Sequence, residues 1–247
     1  MNKIDISQLD MKNIPNHIAV IMDGNGRWAT RKGLKRLDGH VKGYSVLKDF
    51  VFSAAEIGVK AITAYAFSSE NWSRPKEEVE GLMKLIAYAA KAELDEMNTQ
   101  GVKMITSGRT EMLPDFLKEQ FAENEAKTKN NTKIILNLAV NYGGRNEIVD
   151  AAIHLAKIIK RGDIQPEDID EKLISNLMYH PELKDPDLLI RTAGEMRLSN
   201  FLLWQTAYTE LYITETLWPD FNKDELIRAI YSYQNRTRKF GGVVEEE

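Results

Sequence analysis

Apolar residues along this chain fall into two alternating patterns: short continuous runs, and longer stretches spaced by three and four. The runs at 17–23, 60–67, 102–106, 133–140, 187–192 and 210–214 are rich in β-branched, aliphatic and aromatic residues. Runs of that length predict strands buried on both faces. Between the first two, Val41, Tyr44, Leu47, Val51 and Ala54 form one helical face, with Asp38 placed to N-cap it and Gly58 to end it. Pro75 opens a helix over 76–100 with Val79, Leu82, Met83, Ile86, Ala90 and Leu94 on one side. Helical spacing also covers 111–129, 146–161, 168–179 and 223–238. Strands alternating with helices predict the α/β class, a mostly parallel sheet of about six strands flanked by helices. With no repeat and no long linker, 1–247 is expected to be a single domain, with 1–13 and 243–247 as flexible ends.

Composition narrows the function. An apolar fraction of 43% supplies a core, and a net charge of −4 argues against a general nucleic-acid binder, so any basic site must be local. The absence of cysteine removes disulfides, thiol catalysis and cysteine–zinc sites, which fits a cytoplasmic protein. No apolar run reaches the roughly 18–20 residues of a membrane helix. The N-terminus lacks the apolar core of a signal peptide. The histidines at 17, 40, 154 and 180 are too dispersed for a local metal motif.

Three polar loops follow strand candidates, where an open parallel sheet places its ligands. The first is Asp23-Gly24-Asn25-Gly26-Arg27-Trp28, glycines bracketing an asparagine and suited to presenting backbone N–H groups to a phosphate. Asp23 repels a bare phosphate, so it is expected to hold a cation or to do chemistry. A basic segment follows, with six Lys or Arg and one acid from Arg27 to Lys42, and His40 in the first helical turn can face an anion. The second loop is Ser68-Ser69-Glu70-Asn71-Trp72-Ser73-Arg74-Pro75. The third carries Arg191, Arg197, Leu198 and Ser199 around a glycine turn; guanidinium forks suit diphosphate oxygens, and Ser199 is placed at a helix start. Each signal has a structural alternative: Asp-Gly-Asn-Gly is often just a turn, the arginines can be ion-pair partners, and Trp72 a core anchor. Their joint placement after strands favours a diphosphate site with a divalent metal.

The blocks IMDGNGRWA (21–29), YAFSSENWSRP (65–75), NYGGRNE (141–147), DLLIRTAGEMRLSNFLLWQ (187–205) and LWPDF (217–221) together resemble the cis-prenyltransferases of the undecaprenyl diphosphate synthase type. The likeness runs from residue 17 to Gly242 in the family's order. It implies condensation of farnesyl diphosphate with successive isopentenyl diphosphates, using Mg²⁺, to a long-chain cis-polyprenyl diphosphate, precursor of the lipid carrier for cell-wall polysaccharide. On the resemblance, the allylic diphosphate lies over Gly24, Asn25, Gly26 and Arg27, with Arg36 and His40 completing its pocket. Isopentenyl diphosphate is held by Arg191, Arg197 and Ser199, with Leu198 beside them. Asp23 and Glu210 serve Mg²⁺, the glutamate acting near a subunit boundary. Asn71, with Ser68 nearby, matches the proton acceptor, and Trp28, Ser69, Glu70, Trp72 and Arg74 match substrate-contacting positions.

The resemblance further implies a homodimer, an apolar product channel and peripheral contact with the inner face of the membrane. The tail from Arg236 to Gly242 either reaches the partner's site or caps the last helix. Ala87, Ala89, Ala90 and Ala92 are candidates to leave room for product. Ala193 and Met196 stand where the family often has serine and glutamine. No DDxxD pair is present, which excludes the all-helical trans-prenyltransferases. Two rivals stand beside this reading. An aspartate-nucleophile phosphatase normally wants a second aspartate where Asn25 sits, and a non-catalytic partner subunit would have lost the diphosphate and metal residues that this chain retains.

Overall fold

The computed structural model describes residues 4–236. Six strands form one sheet: β1 (His17–Ile21), β2 (Ala61–Ser68), β3 (Val102–Ser107), β4 (Ile134–Tyr142), β5 (Leu188–Arg191) and β6 (Glu210–Ile213). Their order is β3-β4-β2-β1-β5-β6, and every pairing is parallel. The expected sheet is therefore present, with its strands within a residue or two of the predicted runs. All five residues of β1 are buried, with Ile18 and Val20 on one face and Ala19 and Ile21 on the other. That two-sided burial is why the run carries no polar alternation. The chain moves outward from β1 through β2, then returns to β1's other side for β5. Loops leaving β1 and β5 therefore flank the reversal in strand order, where open sheets bind ligands.

The helices are α1 (Asn25–Arg31), α2 (Arg36–Ile57), α3 (Lys76–Ala92), α4 (Leu94–Thr99), α5 (Asp115–Thr128), α6 (Gly144–Arg161), α7 (Glu171–Ser175) and α8 (Lys223–Gln234). The larger core lies between one sheet face and α2, α3, α5 and α8. On the other face Tyr142, Phe201 and Leu202 cover Ala19, Ile21 and Leu189.

Several expectations change in detail. Asp38 is not the N-cap of α2. It lies in the first turn and accepts the Lys35 N–H at 3.0 Å. Leu47, Val51 and Ala54 are buried as expected, but Val41 is exposed, because Gly39 and Gly43 occupy the inner face and bring α1 too close for side chains. The 76–100 helix is broken at Glu93 into α3 and α4. The helix at 168–179 shortens to α7, started by Asp170 accepting the Leu173 N–H at 2.7 Å. Residues 4–13 are tied down rather than loose: Leu9 is buried, and Gln234 on α8 accepts from Asp10 N–H and donates to the Asp10 and Asn13 carbonyls. The expected flexible end 243–247 and the tail beyond Arg236 lie outside the described residues.

Candidate active site

At the C-terminal end of β1 the chain turns straight into α1, through Gly24 at φ +103°. The sequence predicted a glycine loop here and missed the helix. A Cβ on Gly24 would meet Leu217 Cδ2 at 2.8 Å, so only glycine fits this tight entry. The first intrahelical bond runs from Trp28 N–H to Gly24 O, which leaves the N–H groups of Asn25, Gly26 and Arg27 at the open end of the helix. Arg36 stacks over Gly26, its guanidinium carbon 3.0 Å from where a Cβ would be.

Asp23 is held from three sides. Its Oδ1 accepts the Gly24 N–H at 2.7 Å, Arg191 Nη2 donates to Oδ2 at 3.2 Å, and Arg27 approaches Oδ1 at 3.5 Å. Arg191, the last residue of β5, is almost fully buried, and also donates to Ser199 Oγ at 2.8 Å and to the Arg197 carbonyl. Its Nε is buried with no partner. Ser199 is not at a helix start: residues 199–206 form turns, and its φ of +50° aims the hydroxyl at Arg191. Arg197 is exposed and paired with Glu195, which also reaches Arg27 at 3.3 Å. Glu195 belongs to none of the predicted site residues, although an acid between two arginines signals such a bridge.

From β2, Ser68 N–H donates to Asn71 Oδ1 at 3.1 Å. That leaves the amide's other oxygen lone pair and its NH₂ for a ligand. Arg74 and Arg36 share Glu78 on α3, at 3.2 and 3.8 Å. His40 sits beside both arginines; burial first, then the Arg74 charge, push its pKa down to about 4 against a smaller upward pull from Glu78. The imidazole is thus neutral in the free chain.

Many of these residues surround one cavity of about 590 Å³, though Gly24, Gly26, Arg27 and Arg36 are not in its lining; the volume is within the roughly 300–1,000 Å³ range of ligand pockets. Asp23, Asn25, His40, Ser68, Glu70, Asn71, Arg74, Arg191, Arg197 and Ser199 line it together. Tyr44, Leu47, Ala66, Leu82 and Trp218 supply an apolar wall. Trp218, fully buried and donating to Gly43 O at 2.8 Å, was not anticipated.

Other predicted residues lie elsewhere. Trp28 faces the 218–220 turn and donates to Asp220 at 2.8 Å. Trp72 packs edge-on to Phe67 and donates to Asn141 at 2.7 Å, nearer the anchor alternative than a contact in the cavity. Ser69 donates to Glu70 at 3.1 Å behind the lining, and Leu198 packs on the Phe201 cluster. The alanines at 87, 89, 90 and 92 do not line the cavity; Ala90 is buried, its carbonyl accepting from Asn124 on α5. Glu210 begins β6, opposite Leu188 and so level with Ile18, at the other end of the sheet from Asp23. It pairs with Arg236 at 2.8 Å. Within one chain it therefore cannot join Asp23 on a shared ion.

Among the described residues no group of three or more His, Cys, Asp or Glu could cage a metal. Mg²⁺ does not need a cage. It keeps several waters and takes one or two carboxylates plus substrate phosphate oxygens. Asp23, which lines the cavity among arginines with Glu70 as the only other carboxylate among the described lining residues, fits that second mode.

The half-buried His40 gives a pH signature. Its folded pKa lies below the unfolded value of about 6.5, so the unfolded chain binds the proton first and stability falls as pH drops from about 6.5 toward 4. Between pH 7 and 5, His40→Gln is expected to lose about 2 kcal/mol less stability than the parent. Urea unfolding at the two pH values measures this, and parallel losses would rule it out.

The family model described as "Putative undecaprenyl diphosphate synthase" matches residues 21–241. Isoprenyl transferase of Fusobacterium nucleatum is 52% identical over 232 residues, 94% of this chain and 98% of the relative. Isoprenyl transferase of Prochlorococcus marinus subsp. pastoris is 50% identical over 243 residues, 98% of this chain and 89% of the relative. The crystal structure of lavandulyl diphosphate synthase from Lavandula x intermedia, in complex with dimethylallyl diphosphate, superposes with a TM-score of 0.91 at 37% identity, covering 94% of this chain and all of that one. On the family-model match and these identities, this chain belongs to the isoprenyl transferase family of the undecaprenyl diphosphate synthase type.

Proposed function

We propose that this isoprenyl transferase condenses farnesyl diphosphate with successive isopentenyl diphosphates to a long cis-polyprenyl diphosphate, as a single-domain, Mg²⁺-dependent enzyme. One observation carries the reading. Two cationic loop ends, after β1 and β5, are joined through Asp23 and Arg191 at 3.2 Å and open on one cavity with an apolar wall. That is the arrangement needed for two diphosphates head to head and a growing hydrocarbon behind them.

In the step itself the allylic C–O bond breaks, a C–C bond forms to the isopentenyl double bond, and a proton leaves the new cation. The open N–H groups of Asn25, Gly26 and Arg27, with Arg36, would hold the departing diphosphate where its charge develops. Arg191, Arg197 and Ser199 would orient the second diphosphate. Asp23 would hold Mg²⁺, whose charge would offset part of the negative charge developing on the leaving group. Asn71 Oδ1 would take the proton on its remaining lone pair; an amide suffices because a proton beside a carbocation is very acidic. His40, neutral in the free chain, would offer the arriving anion one ring N–H.

The phosphatase alternative is disfavoured by Asn25, which stands two residues after Asp23 where that mechanism wants a second aspartate. The non-catalytic alternative is disfavoured by the retained Asp23, Asn71 and arginines. For the homodimer, we place the contact on α6, which carries Ile148, Val149 and Ile153 exposed. We further propose that the enzyme is cytoplasmic and hands its apolar product to the inner face of the membrane; no helix among the described residues is long and apolar enough to cross a bilayer.

The test uses the purified chain alone, farnesyl diphosphate as primer, labelled isopentenyl diphosphate and Mg²⁺. Butanol-extractable label whose length is read by thin-layer chromatography is expected, and is lost with a chelator. No incorporation would overturn the catalytic reading. Sedimentation velocity of the same preparation should give a dimer at micromolar concentration; a monomer would overturn the α6 contact.

A further inference from the structure

Three loops meet at Asn200, which the functional reading leaves without a task. Its φ of +62° turns the chain sharply after Ser199. The Nδ2 group donates to Glu70 Oε1 at 2.7 Å, in the loop after β2. Its Oδ1 accepts the Arg145 N–H at 2.9 Å, and its carbonyl accepts the Gly144 N–H at 2.6 Å, both at the start of α6. Gly143 lets these groups close in: a Cβ there would lie 2.6 Å from Ser69 Oγ and 2.7 Å from Asn200 Nδ2 and would displace both. One asparagine thus satisfies groups from the ends of β2 and β4 while following directly on the Ser199 that Arg191 holds. Burial raises the Glu70 pKa, but hydrogen bonds from Asn200, its own backbone and Ser69 outweigh it and keep the carboxyl below its usual range. Asn200 therefore faces an ionised acceptor, the stronger kind of hydrogen bond.

We propose that Asn200 is a positioning residue that sets the spacing between the Arg191–Ser199 diphosphate cradle and the loop carrying Asn71. This rests on the reading that isopentenyl diphosphate sits in that cradle. The geometry makes the pair reversible. Asn200→Asp keeps the acceptor for Arg145 N–H but sets two carboxylates against each other. Adding Glu70→Gln supplies an NH₂ to the new aspartate and keeps a carbonyl for Ser69.

The experiment compares the parent chain, Asn200→Asp, Glu70→Gln and the double variant, by melting and by steady-state incorporation of labelled isopentenyl diphosphate. Asn200→Asp is expected to lower kcat/KM for isopentenyl diphosphate by about 10- to 100-fold, the scale of a charge-assisted hydrogen bond, with a smaller change in KM for farnesyl diphosphate. The double variant should recover most of both Tm and kcat/KM. Recovery of Tm with no recovery of kcat/KM makes Asn200 a structural tie and overturns the positioning role. A double variant no better than the worse single one overturns the pairing. Because the melting cycle needs no turnover, an inactive parent would remove the isopentenyl diphosphate reading while the pairing is still decided.

Discussion

Asp23→Ala is expected to reduce incorporation of isopentenyl diphosphate by at least about 10²- to 10³-fold, the scale for removing one group that stabilises departing charge. Stability should fall by a smaller measure, about 1–2 kcal/mol, because the carboxylate is part-exposed although its partner Arg191 is buried. What remains after truncation supports that split. Arg191 keeps Ser199 and the Arg197 carbonyl, and the backbone of residue 23 still accepts from Thr192 at 2.7 Å and from Trp218 N–H at 3.0 Å. Asp23→Asn sharpens the test. It can still accept the Gly24 N–H yet offers a cation no charge and Arg191 no acceptor, so it should be nearly as inactive, with a melt close to that of Asp23→Ala. Parent-like turnover in either variant at saturating Mg²⁺ would remove the metal role from Asp23; a collapsed melt would instead assign it a structural one.

The sheet was legible because buried parallel strands appear as uninterrupted apolar runs, and each of the six stands within a residue or two of its run. The ends of those strands were legible for the same reason, so Asp23, Asn71, Arg191, Arg197 and Ser199 could be placed in one cleft from strand direction alone. Local signals failed where tertiary contact decides. Nothing in Asp-Gly-Asn-Gly distinguishes a turn from a helix entry until Gly39 and Gly43 on α2 are seen pressing on Asn25. Trp218 had no motif of its own chemistry; its role comes from filling the space beneath Gly43. Glu210 shows the opposite limit. The resemblance pairs it with Asp23, whereas strand register sets the two at opposite ends of the sheet in one chain. A shared function therefore needs a second copy.

Gly39→Ala is expected to destabilise the fold by about 2–3 kcal/mol, against the usual direction for such a change. Replacing a helix-interior glycine by alanine ordinarily stabilises by about 0.5–1 kcal/mol, because glycine loses more backbone entropy on folding. At this position a Cβ would stand 2.0 Å from the Asn25 carbonyl oxygen, which is backbone and cannot swing aside. Relief requires α1 to move off α2, and overpacking of that kind costs about 1–3 kcal/mol. Gly81→Ala is the internal control: it is also helical, on α3, but its Cβ would come no closer than 3.6 Å to Leu37, ordinary contact, so it should be neutral or stabilising. Equilibrium urea unfolding of both variants gives the sign, and equal stabilities would refute the close-approach argument. Function should follow the same displacement. Moving α1 carries the N–H groups of Asn25, Gly26 and Arg27 away from Asp23, so Gly39→Ala should raise KM for the allylic diphosphate more than for isopentenyl diphosphate, whose cradle is built from β5.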